Sequence, residues 1–188
     1  MKTRASSQPA HVAAKSPGAA GTPLVGLAPV FDTSARLLVL GSFPGAASLQ
    51  AAQYYAHPRN AFWPVMAALT GEPGLPALAY AERLATLKHR HIALWDAVAA
   101  CHREGSLDTA IQAAVPSDVA ALVARLPALR VIACNGALAH RQTVAALGEA
   151  VLPVLQLPST SPAHAGRSQA DKIDAWRAAL APYLGASL

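Results

Sequence analysis

The chain has 188 residues, 53% of them hydrophobic and 13% charged, with a formal net charge of +5 and two cysteines. That length and apolar content suit one domain with a full hydrophobic core, and no apolar run approaches the eighteen or so residues that a membrane-spanning helix needs. Cys101 and Cys134 are too few for a disulfide framework, a four-cysteine cluster or a structural zinc site, so the default setting is intracellular. The basic balance is compatible with a polyanionic partner such as nucleic acid.

Residues 1–28 are rich in Ala, Ser, Pro and Gly, carry Lys2, Arg4 and Lys15, and contain neither an acid nor an aromatic residue. Such a segment buries too little apolar surface to offset its ordering entropy. It is predicted to be a disordered basic tail, with 29–188 as a single domain. No hydrophobic signal core follows the basic start, so the cytoplasm is expected rather than secretion. An organellar transit segment is the minority alternative, because no amphipathic period is visible.

Four short runs of Val, Ile and Leu are predicted as buried strands: Leu37–Leu40, Ile92–Leu94, Val131–Cys134 and Val154–Leu157. Helical signals lie between them. Phe62–Leu69 is short and apolar, and Pro76–Leu87 spaces Leu78, Leu84 and Leu87 at roughly helical intervals. Ser117 is placed to cap a helix through Leu126, and Ala137–Leu147 follows a glycine. A final helix opens at Ser168 with Asp171 three positions on, the pattern of a capping box. Strands alternating with helices predict an α/β fold, three-layer α/β/α, around a small central parallel four-stranded sheet. His89 and His91 are read as surface histidines beside a strand, and Lys88 and Lys172 as surface positions.

The segments that follow the strands are Gly41-Ser42-Phe43-Pro44-Gly45, Trp95-Asp96, Asn135-Gly136 and Pro158-Ser159-Thr160-Ser161-Pro162. In an open parallel sheet ligands bind beyond the carboxyl ends of the strands, so all four converge on one cleft. Gly41–Gly45 is not a nucleophile elbow, since Phe43 stands where the serine belongs. It is not a phosphate loop either, since no Gly-Lys-Ser/Thr follows. Asp96 is read as a cap for the segment after its strand, and Asp108 as part of the first turn of a helix.

Gly41 to Trp63 holds five of the ten aromatic residues, in a stretch broken by Gly and Pro. Phe62 and Trp63 are expected to pack inward from a helix start. Tyr54 and Tyr55 are adjacent and cannot share one face of regular structure, so at least one of them reaches a cleft or the surface. Aromatic faces stack on nucleobases, at about 1–3 kcal/mol each, and amides read base edges. His57 and Arg59 are candidates for phosphate contact, although solvated positions explain them equally well.

Gly41-Ser42-Phe43-Pro44-Gly45, Ser48-Leu49, Gln53-Tyr54-Tyr55, Pro58-Arg59-Asn60 and Phe62-Trp63 together resemble the first motif region of the uracil-DNA glycosylase superfamily, in its hypoxanthine-DNA (DNA-deoxyinosine) glycosylase branch. The resemblance takes in Pro29-Val30-Phe31-Asp32, Leu94-Trp95-Asp96, Gly105-Ser106-Leu107-Asp108, Asn135-Gly136 and Leu157 to His164. It implies a monofunctional DNA-repair enzyme that flips out a deaminated base and hydrolyses its N-glycosidic bond to leave an abasic site. The implied partner is DNA containing deaminated bases. No metal, no organic cofactor and no membrane are expected, and a monomer is the default.

Related branches place an Asp or Asn in the first motif to orient water, where this chain has Ser42 and Phe43. The resemblance then assigns the catalytic amide to Asn60. Gly41, Ser42, Phe43, Pro44, Gly45, Tyr54, Tyr55, Asn135 and Gly136 are expected to form the base pocket, with Phe43 and a tyrosine as its aromatic wall. Backbone donors around Ser42 and Asn135-Gly136 would meet the base carbonyl. Arg59, Pro158, Ser159, Thr160, Ser161 and His164 are expected to contact DNA, and His164 is open to a role at either phosphate or the leaving base. Hypoxanthine is the first choice of base, with uracil or xanthine as alternatives. A non-catalytic binder of damaged DNA is the competing reading from another class, and a serine hydrolase using Ser159 or Ser161 with His164 is a distant third.

Overall fold

The computed structural model describes residues 22–149 and 152–184. In chain order the elements are β1 (Leu24–Val25), β2 (Leu37–Gly41), α1 (Ala46–Ala51), α2 (Phe62–Thr70), α3 (Tyr80–His89), β3 (Ile92–Asp96) and β4 (Val98–His102). They continue with β5 (Gln112–Pro116), α4 (Val119–Ala124), β6 (Val131–Asn135), α5 (Ala137–Leu147), β7 (Val154–Leu157) and α6 (Gln169–Leu184).

β2 is buried along its whole length, as expected of a parallel strand covered on both faces. Its side chains alternate between two cores. Leu37 and Val39 meet Phe62, Met66, Leu87, Trp176 and Leu180 from α2, α3 and α6. Leu38 and Leu40 meet Val119, Leu122 and Ala139 from α4 and α5. Each such fully buried large apolar side chain is worth roughly 1.5–3 kcal/mol relative to exposure. The strand order is β3-β2-β6-β7, with all three pairings parallel. This is the fold class that the sequence predicts.

The α5 limits agree with the predicted ones. The start of α6 is closed by the expected box, in which the Ser168 N–H donates to Asp171 Oδ2 at 3.0 Å and the Asp171 N–H donates to Ser168 Oγ at 3.1 Å. Other limits move. Pro76–Leu87 divides into a 3-10 turn at Leu75–Ala77 and α3, because Leu78 is extended and the Ala79 N–H is capped by Glu82 Oε2 at 3.0 Å. The cap of α4 is Asp118, whose carboxylate accepts from Ala121 N at 3.0 Å, and not Ser117.

A second sheet, antiparallel and ordered β1-β4-β5, was not anticipated. Only Ala97 separates β3 from β4, so the chain leaves one sheet and enters the other at the edge where the cleft lies. β5 is exposed throughout and β1 is two residues long, so neither carries the apolar run that marks a buried strand. The proposed tail boundary at residue 28 also changes. Leu24–Val25 pairs with Ala100 and Cys101, and the Leu27 carbonyl accepts from Trp95 Nε1 at 3.1 Å. The segment 24–28 belongs to the domain, whereas residues 1–21 lie outside the described residues.

Candidate functional site

The ends of β2, β3 and β6 and the loop after β7 surround a cleft of about 620 Å³. Gly41 marks its narrowest point. A Cβ there would lie 2.2 Å from Asp96 Oδ1 and 3.0 Å from Tyr55 Oη, so only glycine leaves room for the Asp96 carboxyl. The following loop is clamped from the β4–β5 connection. Ser42 Oγ donates to Asp108 Oδ1 at 2.6 Å, the Ala46 N–H donates to Ser106 Oγ at 3.0 Å, and Arg103 donates to the Pro44 carbonyl. The Arg103 guanidinium also lies 4.9 Å from the centre of the Phe43 ring. Phe43 borders the cleft with most of its surface packed on Val98 and Cys101.

The two tyrosines diverge. Tyr54 packs in the core, and its hydroxyl donates towards the carbonyls of Leu27 and Ala28 at 3.2 and 3.0 Å. Tyr55 adopts φ 53°, a left-handed conformation that costs a non-glycine residue roughly 1–2 kcal/mol. Its ring stacks on Phe62 with centroids 3.8 Å apart and planes 15° apart. Burial and the neighbouring Asp96 raise the Tyr55 phenol far above its ordinary pKa, so it stays neutral. Asn60 lines the cleft as well. Its Oδ1 accepts from the Phe62 N–H at 3.0 Å and thereby starts α2, while its Nδ2 has no partner among the described residues.

On the opposite side every polar atom of the Asn135 side chain is engaged. Its Nδ2 donates to Thr160 Oγ1 at 2.9 Å and to Tyr55 Oη at 3.1 Å, and its Oδ1 accepts from Thr160 N at 2.8 Å. The Gly136 N–H is shared between the carbonyls of Cys134 and Leu157, at 2.9 and 3.0 Å. In the loop after β7, Ser159 Oγ accepts from Ser161 N and Ser161 Oγ accepts from Ala163 N, both at 3.2 Å. Each of these hydroxyls keeps its own hydrogen to donate.

Asp96 is 4% exposed, and its Oδ2 has no hydrogen-bond partner among the described residues. Burial, and then the nearby Asp108 carboxylate, push its pKa up to about 7, and Arg103 only partly opposes them. A buried carboxyl whose pKa is raised in this way, in a cleft at the end of a parallel strand, is a candidate for a functional group.

Comparisons with known proteins fit this geometry. The sequence matches the uracil DNA glycosylase superfamily over residues 28–182. The chain belongs to the uracil-DNA glycosylase superfamily. Two relatives named hypoxanthine DNA glycosylase, from Methanosarcina acetivorans and Methanosarcina barkeri, are 40% and 39% identical over 111 residues, covering 59% of this chain and 70% of each relative. The solution NMR structure of a candidate uracil DNA glycosylase from Methanosarcina acetivorans superposes with a TM-score of 0.70 at 33% identity, over 84% of this chain and 98% of that one.

Within this superfamily member the predicted residues divide. Gly41 to Gly45, Tyr55, Asn60, Asn135, Gly136, Ser159, Ser161 and His164 line the cleft. Four expectations are corrected. Tyr54 touches the cleft but is a core residue, since its hydroxyl is turned to the backbone of 27–28. The Gly136 N–H serves the sheet edge and is not open to a base carbonyl. Thr160 is fully buried against Asn135, and Pro158 accepts from Trp176 Nε1 at 3.0 Å, so both hold the loop from inside. Lys172 is no surface residue, being 4% exposed with Nζ donating to the Ser161 carbonyl at 3.2 Å. Arg59 is exposed outside the cleft lining. Among the described residues no cluster of His, Cys, Asp and Glu is arranged to hold a metal ion.

The sequence reading did not place Ser106 or the side chains of Asp96 and Asp108. Asp108 opens a short 3-10 turn, Asp108–Ala110, as expected, and its carboxylate accepts from Ser42 Oγ, so that with Ser106 it clamps the Gly41–Ala46 loop. Asp96 makes no cap among the described residues. The signal of all three was present in Trp95-Asp96 and Gly105-Ser106-Leu107-Asp108, but spacing alone does not say which side chains turn towards the cleft.

Proposed function

We propose that the chain is a monofunctional DNA glycosylase that extrudes a deaminated base, with hypoxanthine as its first substrate, and hydrolyses the N-glycosidic bond. The observation that carries this reading is the Tyr55 ring, fixed on Phe62 beside Gly41 in a cleft large enough for a base. The names of the two relatives support hypoxanthine, and that of the structural neighbour keeps uracil as the second reading.

Extruding a base costs a few kcal/mol, least for one that pairs weakly. The base enters the cleft against Tyr55, and the backbone stays at the rim. Ser159 and Ser161 hold hydroxyl hydrogens towards the phosphates, and His57, Arg141 and His164, which line the same cleft, bring further polar groups to it, with Arg59 exposed beyond the lining. Glycosidic cleavage passes through an oxocarbenium-like state, with charge leaving on the base. Fixed donors stabilise that separation without reorganising. Asn60 Nδ2 is the amide donor for water or base, and its Oδ1 anchors it to α2. The protein acts as a monomer and needs neither metal nor organic cofactor.

Single-turnover cleavage tests the reading. Labelled DNA carrying one hypoxanthine, uracil or xanthine is incubated with protein in chelator and then treated with hot alkali. Strand breakage only after alkali, fastest for hypoxanthine, is expected. Asn60→Asp keeps the oxygen that caps Phe62 and removes the amide donor, and a loss of about 100-fold is expected. Retained binding to damaged DNA with no breakage on any substrate would replace the enzyme with a silent binder.

A further inference from the structure

We infer that Asp96 is a second catalytic residue of this cleft: its protonated carboxyl donates a hydrogen bond to the extruded base and stabilises the negative charge that the base takes as the glycosidic bond breaks. The inference deepens the glycosylase reading and rests on it.

The placement argues for it. The carboxyl stands at the C-terminal end of β3 and occupies the space that a side chain at position 41 would fill, with Oδ1 2.2 Å from the ideal Cβ position of Gly41. The residue is 96% buried and lines the cleft, and no described residue hydrogen-bonds to either carboxyl oxygen. An unpartnered buried carboxylate is among the costliest groups a fold can hold. Protonation relieves that cost, and a ligand that accepts the proton's hydrogen bond relieves the remainder. The outer lip of the cleft carries exposed Arg141, Ala163 and His164. Sugar and attacking water belong near that lip, and the base belongs deep, beside Tyr55 and Asp96.

The charged and titratable surroundings agree. Tyr54, Tyr55 and Tyr80 face Asp96 as neutral phenols, and Asp108 adds like charge. Arg103 is the opposing cation; its Nε and one Nη donate to the Gly105 and Pro44 carbonyls and it lies over the Phe43 ring, while its other Nη has no hydrogen-bond partner among the described residues. His57, His164 and Arg141 stand farther along the same cleft. Burial and Asp108 therefore win, and the carboxyl pKa rises to about 7. An ionised Asp96 would repel the departing base.

The reaction balances without consuming Asp96. The electron pair of the C1′–N bond leaves with the base, and water oxygen bonds to C1′. The proton that water loses reaches the base through solvent. Asp96 keeps its own proton and shares it in the hydrogen bond.

The test is single-turnover cleavage of hypoxanthine DNA from pH 5 to 9 by the full chain and its Asp96→Asn and Asp96→Ala variants. Wild-type cleavage is expected to fall as pH rises through about 7. Asp96→Asn retains a neutral donor, so it is expected to cut within about tenfold of wild type at pH 6 and to lose that alkaline limb. Asp96→Ala is expected to lose about 100-fold at pH 6. A wild-type rate that climbs through pH 7 together with an inert Asp96→Asn would overturn the inference, making Asp96 an acceptor of the water proton. An alkaline limb unchanged in Asp96→Asn would also overturn it and assign the limb to His57 or His164. If wild type cuts no deaminated base at any pH, the glycosylase reading itself fails.

Thermal melting gives a readout independent of cleavage. With the folded pKa above the unfolded value of 3.8, the unfolded chain binds fewer protons between the two, so stability is lost as pH rises across that window. The wild-type Tm is expected to drop relative to Asp96→Asn between pH 5 and pH 8. A Tm difference that does not change with pH would mean an ionised carboxyl in the fold and would overturn the inference.

Discussion

The two polar sides of the cleft are built on opposite principles. Around Asn135 each side-chain donor and acceptor is spent on Thr160 or Tyr55, and the Gly136 N–H is spent on two carbonyls. Around Asp96 the buried carboxyl oxygen Oδ2 has no hydrogen-bond partner among the described residues. The first side locks β6 to the loop after β7, and it is stiff because nothing in it is left unsatisfied. The second side stores an unmet hydrogen-bonding demand next to the place where a base would sit. Each is dated by a glycine: a Cβ at Gly136 would meet Ser159 Cβ at 3.3 Å, and one at Gly41 would meet Asp96 Oδ1 at 2.2 Å. The satisfied polar groups around Asn135 make scaffold, and we assign chemistry to the unpartnered Asp96 carboxyl.

Gly41→Ala breaks the second side most directly. The new methyl cannot coexist with the Asp96 carboxyl or with Tyr55 Oη in their present positions. Both must move while β2 stays in its sheet, and a displacement of about 1 Å at a reacting centre can cost 100-fold in rate. Single-turnover cleavage is expected to fall by at least about that factor while DNA binding at the rim persists. Near wild-type cleavage by Gly41→Ala would show that the crowding of Gly41, Asp96 and Tyr55 has no part in the reaction.

Asn135→Ala tests the first side, and there the effect is expected in stability. Removing the amide leaves the buried Thr160 N–H and hydroxyl without partners, at a cost of about 1–3 kcal/mol. The denaturation midpoint should fall accordingly. A loss confined to cleavage, with the midpoint unchanged, would move Asn135 from scaffold to chemistry and erase the contrast between the two sides.

The same contrast explains what the sequence could and could not show. The four parallel strands were legible because burial on both faces leaves unbroken Val, Ile and Leu runs, and the α6 start was legible because Ser168 and Asp171 act locally. Convergence of the strand ends on one cleft followed from topology alone. The second sheet was not legible, since β5 is exposed and β1 gains its place only by pairing with β4. Thr160 read as a DNA contact and Lys172 as a surface position because their burial comes from Asn135 and from the Ser161 carbonyl, contacts made across 25 and 11 residues. Asp96 was misread for a related reason. A carboxylate after a strand ordinarily caps the next N–H groups, and only the fold shows that none is in reach. Asn60 was found through its motif, although its cap on Phe62 became visible only in three dimensions.

Adjacent tyrosines restate the comparison on a smaller scale and give the smallest expected effect. Tyr54 and Tyr55 come from one dipeptide, and adjacency predicts that they part company without saying which one enters the cleft. The structure sends the Tyr54 hydroxyl to the Leu27 and Ala28 carbonyls, where it pins the segment leading from β1, and leaves the Tyr55 ring beside Asp96. Tyr54→Phe keeps the buried ring and deletes one donor, so a loss of about 1 kcal/mol is expected in urea unfolding. Cleavage by the folded protein should stay within about twofold of wild type, because that hydroxyl points away from the base. A Tyr54→Phe variant with unchanged stability and impaired cleavage would reverse the roles of the two residues. It would also place the Tyr54 phenol, rather than the Tyr55 ring, at the extruded base.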